Sequence, residues 1–496
     1  MKIFALLIFL AGTTLPAMSQ TGIKSSFHLD YDPALQPSGS MQYFKPAGNL
    51  FVGDCIPFYH DGTYYLYWLL DSGHHSALNG LGGHQWALST STDLKTWKHF
   101  PIVLGIDEEW EKSICTGSVV FYNKKFYAFY ATRLVTEDGT INEKLSYAVS
   151  DDGIHFKKQL PNPFYSYAPG YSKRNFRDPK VTVDSAGIFH LFVSSATDSS
   201  ISESKGAMVH LVSKDLKNWS VRDPLIINQD DVPECPDYFK WHDWYYLVYG
   251  RGGSTYYLKS KKPYGPWVYP ESQALNEDWS NVVKTAEFTN GRRIAAGWIP
   301  SRRENKDNGG EIFGGCVVLR EVIQDADGTL LTKFLPEVFP ANSRETSLVV
   351  VSDKLTTRPG NASYNINSPN GTGAAFFENI PLNCRVTLDI EPSGNVEEYG
   401  LALRAEKGDH SGYKLRFLPD SREVYLHNSG IHAVAELNKK IKVEVIMKGD
   451  IIDVCVDNKR CIVNRLIERK GSRLWIYAKH GNVKFSSIHV TPLDDK

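Results

Sequence analysis

The chain has no excess of charge of either sign: 55 Lys and Arg stand against 56 Asp and Glu, a formal net charge of −1. It also has no long basic run, which excludes attraction to nucleic acid as an organising role. Seven cysteines, an odd number without metal-ligand spacing, give no zinc site and leave open one disulfide, between Cys455 and Cys461 across the short polar turn that separates them. After the N-terminus no apolar run approaches the length of a membrane helix. The first 340 residues also lack long stretches with apolar residues at helical spacing, so strands are expected throughout.

What is abundant is aromatic: 11 Trp, 26 Tyr and 24 Phe, enough to fill sheet cores and still stack on sugar rings. At the N-terminus Lys2, the apolar run IFALLIFLAG (3–12) and small residues around Ala17-Met18-Ser19 have the layout of a cleaved secretory signal over residues 1–19. No cysteine follows it to carry a lipid anchor. The mature protein is therefore expected to be secreted or periplasmic, without membrane insertion.

Aromatic-rich strands entered through tight turns recur five times: DGTYYLYW (61–68), NKKFYAFYA (123–131), AGIFHLFVS (186–194), HDWYYLVYG (242–250) and NGRRIAAGW (290–298). The turns at 62, 124, 187, 243 and 291 step by 62, 63, 56 and 48 residues, near the period of a four-stranded propeller blade. A second phrase follows the first four, as in STSTDLKTWKHF (89–100) and LVSKDLKNWSVRD (211–223), and reads as the outer strands of each blade. Residues 20–340 are thus expected to form a five-bladed β-propeller. After two prolines near 340 the aromatic period is lost, and short alternating strands with frequent turns predict a β-sandwich over 350–496. Its expected role is to pack on the propeller through an apolar interface. The fold class is all-β.

Asp54 lies eight residues before its turn, and Asp178 and Glu234 nine before theirs. Equivalent places in a radial array face one axis, so the three carboxyls are expected to meet at the mouth of the central channel. Like charges gathered in one pocket shift each other's pKa values and serve acid–base or nucleophilic chemistry. By strand alternation the neighbouring Cys55, Cys115 and Cys235 are expected to point away from the axis.

The stretches FRDPKV (176–181), PECPDYF (233–239), AAGWI (295–299) and GGCVVLREV (314–322) resemble the signature blocks of glycoside hydrolase family 32, the β-fructosidases that include invertases, levanases and inulinases. GHQWALSTSTDLKTWKHFPIVL (83–104) and CTGSVV (115–120) resemble two further blocks, all in the family's order across roughly residues 45–340. The resemblance implies Asp54 as nucleophile, Glu234 as general acid/base and Asp178 as a transition-state stabiliser beside Arg177, acting on a fructan or fructo-oligosaccharide with no cofactor. It also implies that Gln85, Trp86, Thr116, Ser118 and Trp298, together with Arg177, line the sugar site. A retaining mechanism follows from the same resemblance, with the two catalytic carboxyls about 5–5.5 Å apart.

One segment departs from the family. The nucleophile sits in GDCIPFYHDG (53–62), with Gly53 in place of an Asn and a shorter run to the turn. That run resembles the inverting, five-bladed family 43, largely arabinosidases and xylosidases, and leaves open an inverting glycosidase or a sugar-binding propeller without catalysis. His74, His75 and His84 lie among glycines in the loop at 72–86, expected to be a flexible rim of the pocket and not a metal site.

Overall fold

The computed structural model describes residues 27–198, 204–272, 274–275, 279–338, 349–351, 363–406 and 411–493; the signal segment lies outside them. Among the described residues no helix is long and apolar enough to cross a membrane.

Five antiparallel blades surround a central channel. Blade I comprises Leu50–His60, Thr63–Ser72, Gln85–Ser91 and Lys98–Leu104, and blade II Ser113–Tyr122, Lys125–Val135, Ile141–Ser150 and Lys157–Lys158. Blade III comprises Tyr171–Val183, Phe189–Thr197, Gly206–Ser213 and Ser220–Gln229, and blade IV Glu234–Trp241, Trp244–Arg251 and Ser254–Ser260. In blade IV the outer edge is reduced to single bridges, Tyr256 to Ala274 and Lys259 to Val268. Blade V holds Asn281–Glu287, Arg293–Arg302, Glu311–Gln324 and Leu330–Lys333, and Val52 pairs with Gly315 to join it to blade I.

The aromatic phrases are the second strand of each blade, buried on both faces. Along Thr63–Ser72, Tyr64, Leu66, Trp68 and Leu70 enter the core shared with blade V, while Tyr67 and Leu69 enter the core shared with blade II. Two-sided burial explains why these strands read as nearly continuous hydrophobic runs. Similar cores lie between the other neighbours, around Phe129 and Leu191, Phe192 and Leu247, and Tyr246 and Val283.

The next described strand, Val349–Val351, pairs with Phe376–Glu378 in a second, all-strand unit with its own core around Phe377, Val386, Leu415 and Ile476. Its contact with the propeller differs from the apolar interface expected. Ile451 and Val463 do pack on Trp279, Ile299 and Val318. Beside them Arg320 and Asp453 form a fully buried ion pair at 2.7 Å, and the Tyr43 hydroxyl donates to the same carboxylate at 2.7 Å. Arg302 donates to the Arg465 carbonyl and to Asn464 Oδ1, each at 2.6 Å. Polar side chains were bound to appear here, because blade V presents carbonyls and strand ends that need partners once covered. Cys455 and Cys461 face each other across a hairpin at the same interface, both as free thiols.

Candidate active site

The innermost strand of every blade carries a bulge at the same height. Gly53 and Asp54 together oppose one residue of the neighbouring strand, as do Cys115 and Thr116, Asp178 and Pro179, Cys235 and Pro236, and Val282 and Val283. The leading residue of three bulges has a positive φ: 55° at Asp178 and 50° at both Cys235 and Val282. Bulges bend a strand and re-aim side chains, so this ring of five directs otherwise blade-facing groups into the channel.

The three carboxyls do meet, but not from equivalent positions. Glu234 precedes its bulge, Asp178 leads its bulge, and Asp54 trails its own. Counting back from the turns concealed the offset between Asp178 and Glu234, because the turn between Val183 and Phe189 is longer than the one between Trp241 and Trp244. The bulges also overturn the expectation for two cysteines. Cys115 and Cys235 line the cavity, and Cys235 Sγ lies 3.5 Å from both Asp54 Oδ2 and Asp178 Oδ2. Cys55 points into blade packing, its thiol donating to the Gly297 carbonyl at 3.3 Å.

The cavity holds about 440 Å³. Asp54 and Asp178 form its floor at 7% and 5% exposure, whereas the Glu234 side chain is 49% exposed at the mouth. Trp298 Nε1 donates to Asp54 Oδ1 at 3.2 Å. Burial raises the Asp54 pKa, opposed by the charges of Lys284 and His84 and by hydrogen bonds from Cys235 and Trp298. Lys284 is held in place by Thr116 Oγ1 at 3.1 Å and the Gly117 carbonyl at 2.9 Å. Arg177 reaches Glu234 at 2.6 Å, Glu143 at 3.5 Å and Asp178 at 3.6 Å. Burial disfavours its charge, but the three carboxylates outweigh that and raise its pKa.

Burial pushes the Asp178 carboxyl up to about 7; Arg177 opposes the shift, while Glu143, Glu234 and Asp54 add to it. A raised folded-state pKa means that ionising Asp178 works against the fold. The penalty is absent below the ordinary value of 3.8, grows above it, and is complete once pH exceeds about 7. Asp178→Asn removes the penalty and keeps an acceptor for the Cys235 N–H, which donates to Asp178 Oδ2 at 3.1 Å. Calorimetry should therefore show this variant melting a few degrees above the parent at pH 8, with the difference vanishing toward pH 4. A variant that melts lower at pH 8 would mean that the Arg177 pairing outweighs burial.

Of the six residues expected to line the sugar site, Thr116, Arg177 and Trp298 reach the cavity. Gln85, Trp86 and Ser118 do not. Trp86 is fully buried between blades I and II and donates to the Cys115 carbonyl at 2.9 Å. Gln85, 1% exposed, accepts from the Ile106 N–H at 3.1 Å. The Ser118 hydroxyl donates to the Pro179 carbonyl at 2.8 Å and accepts from the Val181 N–H at 2.7 Å, stitching blade II to blade III. All three lie outside the inner-strand bulges, and their side chains follow ordinary alternation to the faces of the sheets and not into the channel.

Sequence reasoning missed Glu143, Arg133, Lys284 and Phe313, which come from strands of blades II and V with no motif to mark them. Phe313 bears on the Gly53 departure: a Cβ on Gly53 would lie 2.8 Å from its ring. The ring stacks on His84 at 4.8 Å and leans on Trp298 at 5.0 Å, so an aromatic wall fills the place of a larger residue at 53.

The 72–86 loop is pinned where a flexible rim was expected. His84 is 2% exposed and its Nε2 lies 3.1 Å from Asp71 Oδ1, which also accepts from the His75 N–H at 2.8 Å. His74 Nδ1 lies 2.8 Å from the Phe313 carbonyl. Asp71, His75 and His84 bring their ligand-type atoms within 4.8 Å of one another, a grouping the sequence did not show. Arg133 donates to His75 Nε2 at 2.7 Å and sets a positive charge against the cluster, which fits a hydrogen-bond network better than a cation site. Burial, with His84 and Arg133, lowers the His75 pKa to about 4 and keeps the ring neutral to accept that bond.

Solved structures share this architecture. Fructan 1-exohydrolase IIa from Cichorium intybus superposes with a TM-score of 0.67 over 92% of this chain and 97% of its own, at 16% identity. Sucrose-6-phosphate hydrolase from Lactobacillus gasseri gives 0.67 over 94% of each chain at 14% identity. In sequence, levanase of Bacillus subtilis (strain 168) is 23% identical over 96% of this chain and 72% of its own length. Sucrose-6-phosphate hydrolase of Escherichia coli is 26% identical over 52% of this chain, a match that spans 57% of that relative. The N-terminal domain of the glycosyl hydrolases family 32 matches residues 44–332, the propeller almost from its first strand to its last. With that match covering more than half the sequence, the chain belongs to glycosyl hydrolase family 32.

Proposed function

We propose that this protein is an exported β-fructosidase that hydrolyses fructans or fructo-oligosaccharides by a retaining double displacement. The observation that carries the reading is the pairing of a buried carboxyl, Asp54, with an exposed one, Glu234, across one sugar-sized cavity. Two carboxyls in unlike environments are what separate acid and nucleophile roles need. The family match across 44–332 disfavours the family 43 alternative.

In this mechanism Asp54, at the floor, attacks the anomeric carbon of the terminal fructosyl unit and forms an ester while the glycosidic bond breaks. Glu234, at the mouth where the leaving group departs, gives that oxygen its proton. Glu234 then takes a proton from water, whose oxygen attacks the same carbon and frees Asp54. Asp178 accepts hydrogen bonds from ring hydroxyls as positive charge develops, and Arg177 orients Asp178 and Glu234 together. Trp298, bonded to Asp54 Oδ1, fixes the nucleophile's aim. Export rests on the sequence pattern of residues 1–19. Incubation with sucrose, inulin and levan should release fructose from at least one of them, and an expressing bacterial host should yield a processed chain beginning near residue 20 outside the cytoplasm. Release from none of the three would refute the reading.

A further inference from the structure

A second cavity, of about 460 Å³, opens on the sandwich and shares no lining residue with the catalytic one. It is built on the strand Arg473–Pro492. Leu474, Ile476 and Ala478 point into the sandwich core, so Trp475, Tyr477 and Lys479 stand on the opposite, outer face. The neighbouring strand sets small residues against the two rings: Ala402 pairs with Trp475 and Gly400 with Tyr477. Gly400 has to be small, since a Cβ there would lie 3.1 Å from the Tyr477 hydroxyl and 1.9 Å from the Leu415 carbonyl. The result is a recess with an aromatic floor.

Its walls are polar, and two of its three cations, Arg416 and Lys479, are matched by carboxylates. Glu398, with a side chain only 13% exposed, accepts from Arg416 Nη2 at 2.9 Å and from the Tyr477 hydroxyl at 2.8 Å. Lys479 pairs with Glu397 just outside. Lys414 stands at the rim and forms no ion pair among the described residues. A half-buried carboxylate clamped by a guanidinium and a phenol offers acceptor and donor groups side by side, which suits adjacent hydroxyls. With Arg416 and Lys479 already paired, a phosphate or carboxylate would gain only Lys414 and would meet the Glu398 carboxylate, while an apolar peptide would leave the pair unsatisfied. An aromatic face beneath such a pair matches the unlike faces of a sugar ring.

We propose that this recess is a carbohydrate-binding site that holds one neutral sugar residue of the polysaccharide, anchoring the polymer that the propeller cleaves. The proposal rests on the fructan reading above. Tethering the chain on the sandwich raises the local concentration of ends near the catalytic cavity. The site is therefore expected to matter for polymers and not for short substrates.

The test uses the full chain in native gels containing levan or inulin, with sucrose and polymer hydrolysis measured in parallel. Wild type should be retarded by at least one polymer. Trp475→Ala should weaken that retardation at least about tenfold, raise KM on the polymer and leave sucrose hydrolysis unchanged. Glu398→Gln, which keeps the side chain's shape, should act in the same direction and guards against a misfolded Trp475 variant. Retardation equal to wild type in both variants, or no retardation of wild type, would overturn the site while leaving the catalytic reading intact. Loss of fructose release by wild type would instead refute the catalytic reading.

Discussion

Asp54→Asn is expected to lower kcat by at least about 10⁴-fold, the larger of two unequal losses at the catalytic pair. An amide at this position still accepts from Trp298 Nε1, 3.2 Å away, and sits in the same buried floor, so the fold should survive. What disappears is the group proposed to form the ester, and no leaving group compensates for a missing nucleophile. Glu234→Gln should cost roughly 10²–10⁴-fold, the usual worth of a general acid. Here an activated aryl fructoside, which departs without a proton, should restore the first step. The two variants are therefore separated by substrate as well as by size. Near-normal turnover in Asp54→Asn would remove this residue from the mechanism.

The second large effect lies far from the chemistry, at the buried Arg320–Asp453 pair between propeller and sandwich. Asp453→Leu takes away the carboxylate that accepts from Arg320 and from Tyr43, and leaves a guanidinium without it in a site 3% exposed or less. Stripping one partner from a buried ion pair typically costs about 3–5 kcal/mol. Adding Arg320→Met should recover most of that loss, because two apolar groups of similar volume need no solvation. Urea denaturation of the single and double variants measures both. Equal stability of wild type and Asp453→Leu would show that the two units do not depend on this contact.

The fold was largely legible because each blade's second strand must be apolar on both faces. That requirement writes the same aromatic phrase into the chain five times, as at Tyr64 to Trp68 and Tyr245 to Tyr249. The gathering of Asp54, Asp178 and Glu234 was legible for the same reason. Their exact stations were not, since a bulge adds a residue without leaving a mark in composition. Alternation therefore placed Cys235 on the wrong side of its strand, while the structure sets its thiol between two carboxylates. Trp86 and Ser118 illustrate the converse. Both adjoin the site in sequence, yet neither sits in an inner-strand bulge, and ordinary alternation turns them into blade packing and blade stitching. The sandwich recess was hidden because Glu398, Arg416 and Trp475 come from three strands with no shared spacing.

The central claim is that Asp54 attacks carbon directly and that the sugar leaves with its configuration kept. Proton NMR during the first minutes of hydrolysis of a β-fructoside, before mutarotation, tests this most directly. Fructose should appear first in the β configuration, as two displacements at one carbon require. An α-configured first product would contradict the account and reassign Asp54 as a base that activates water.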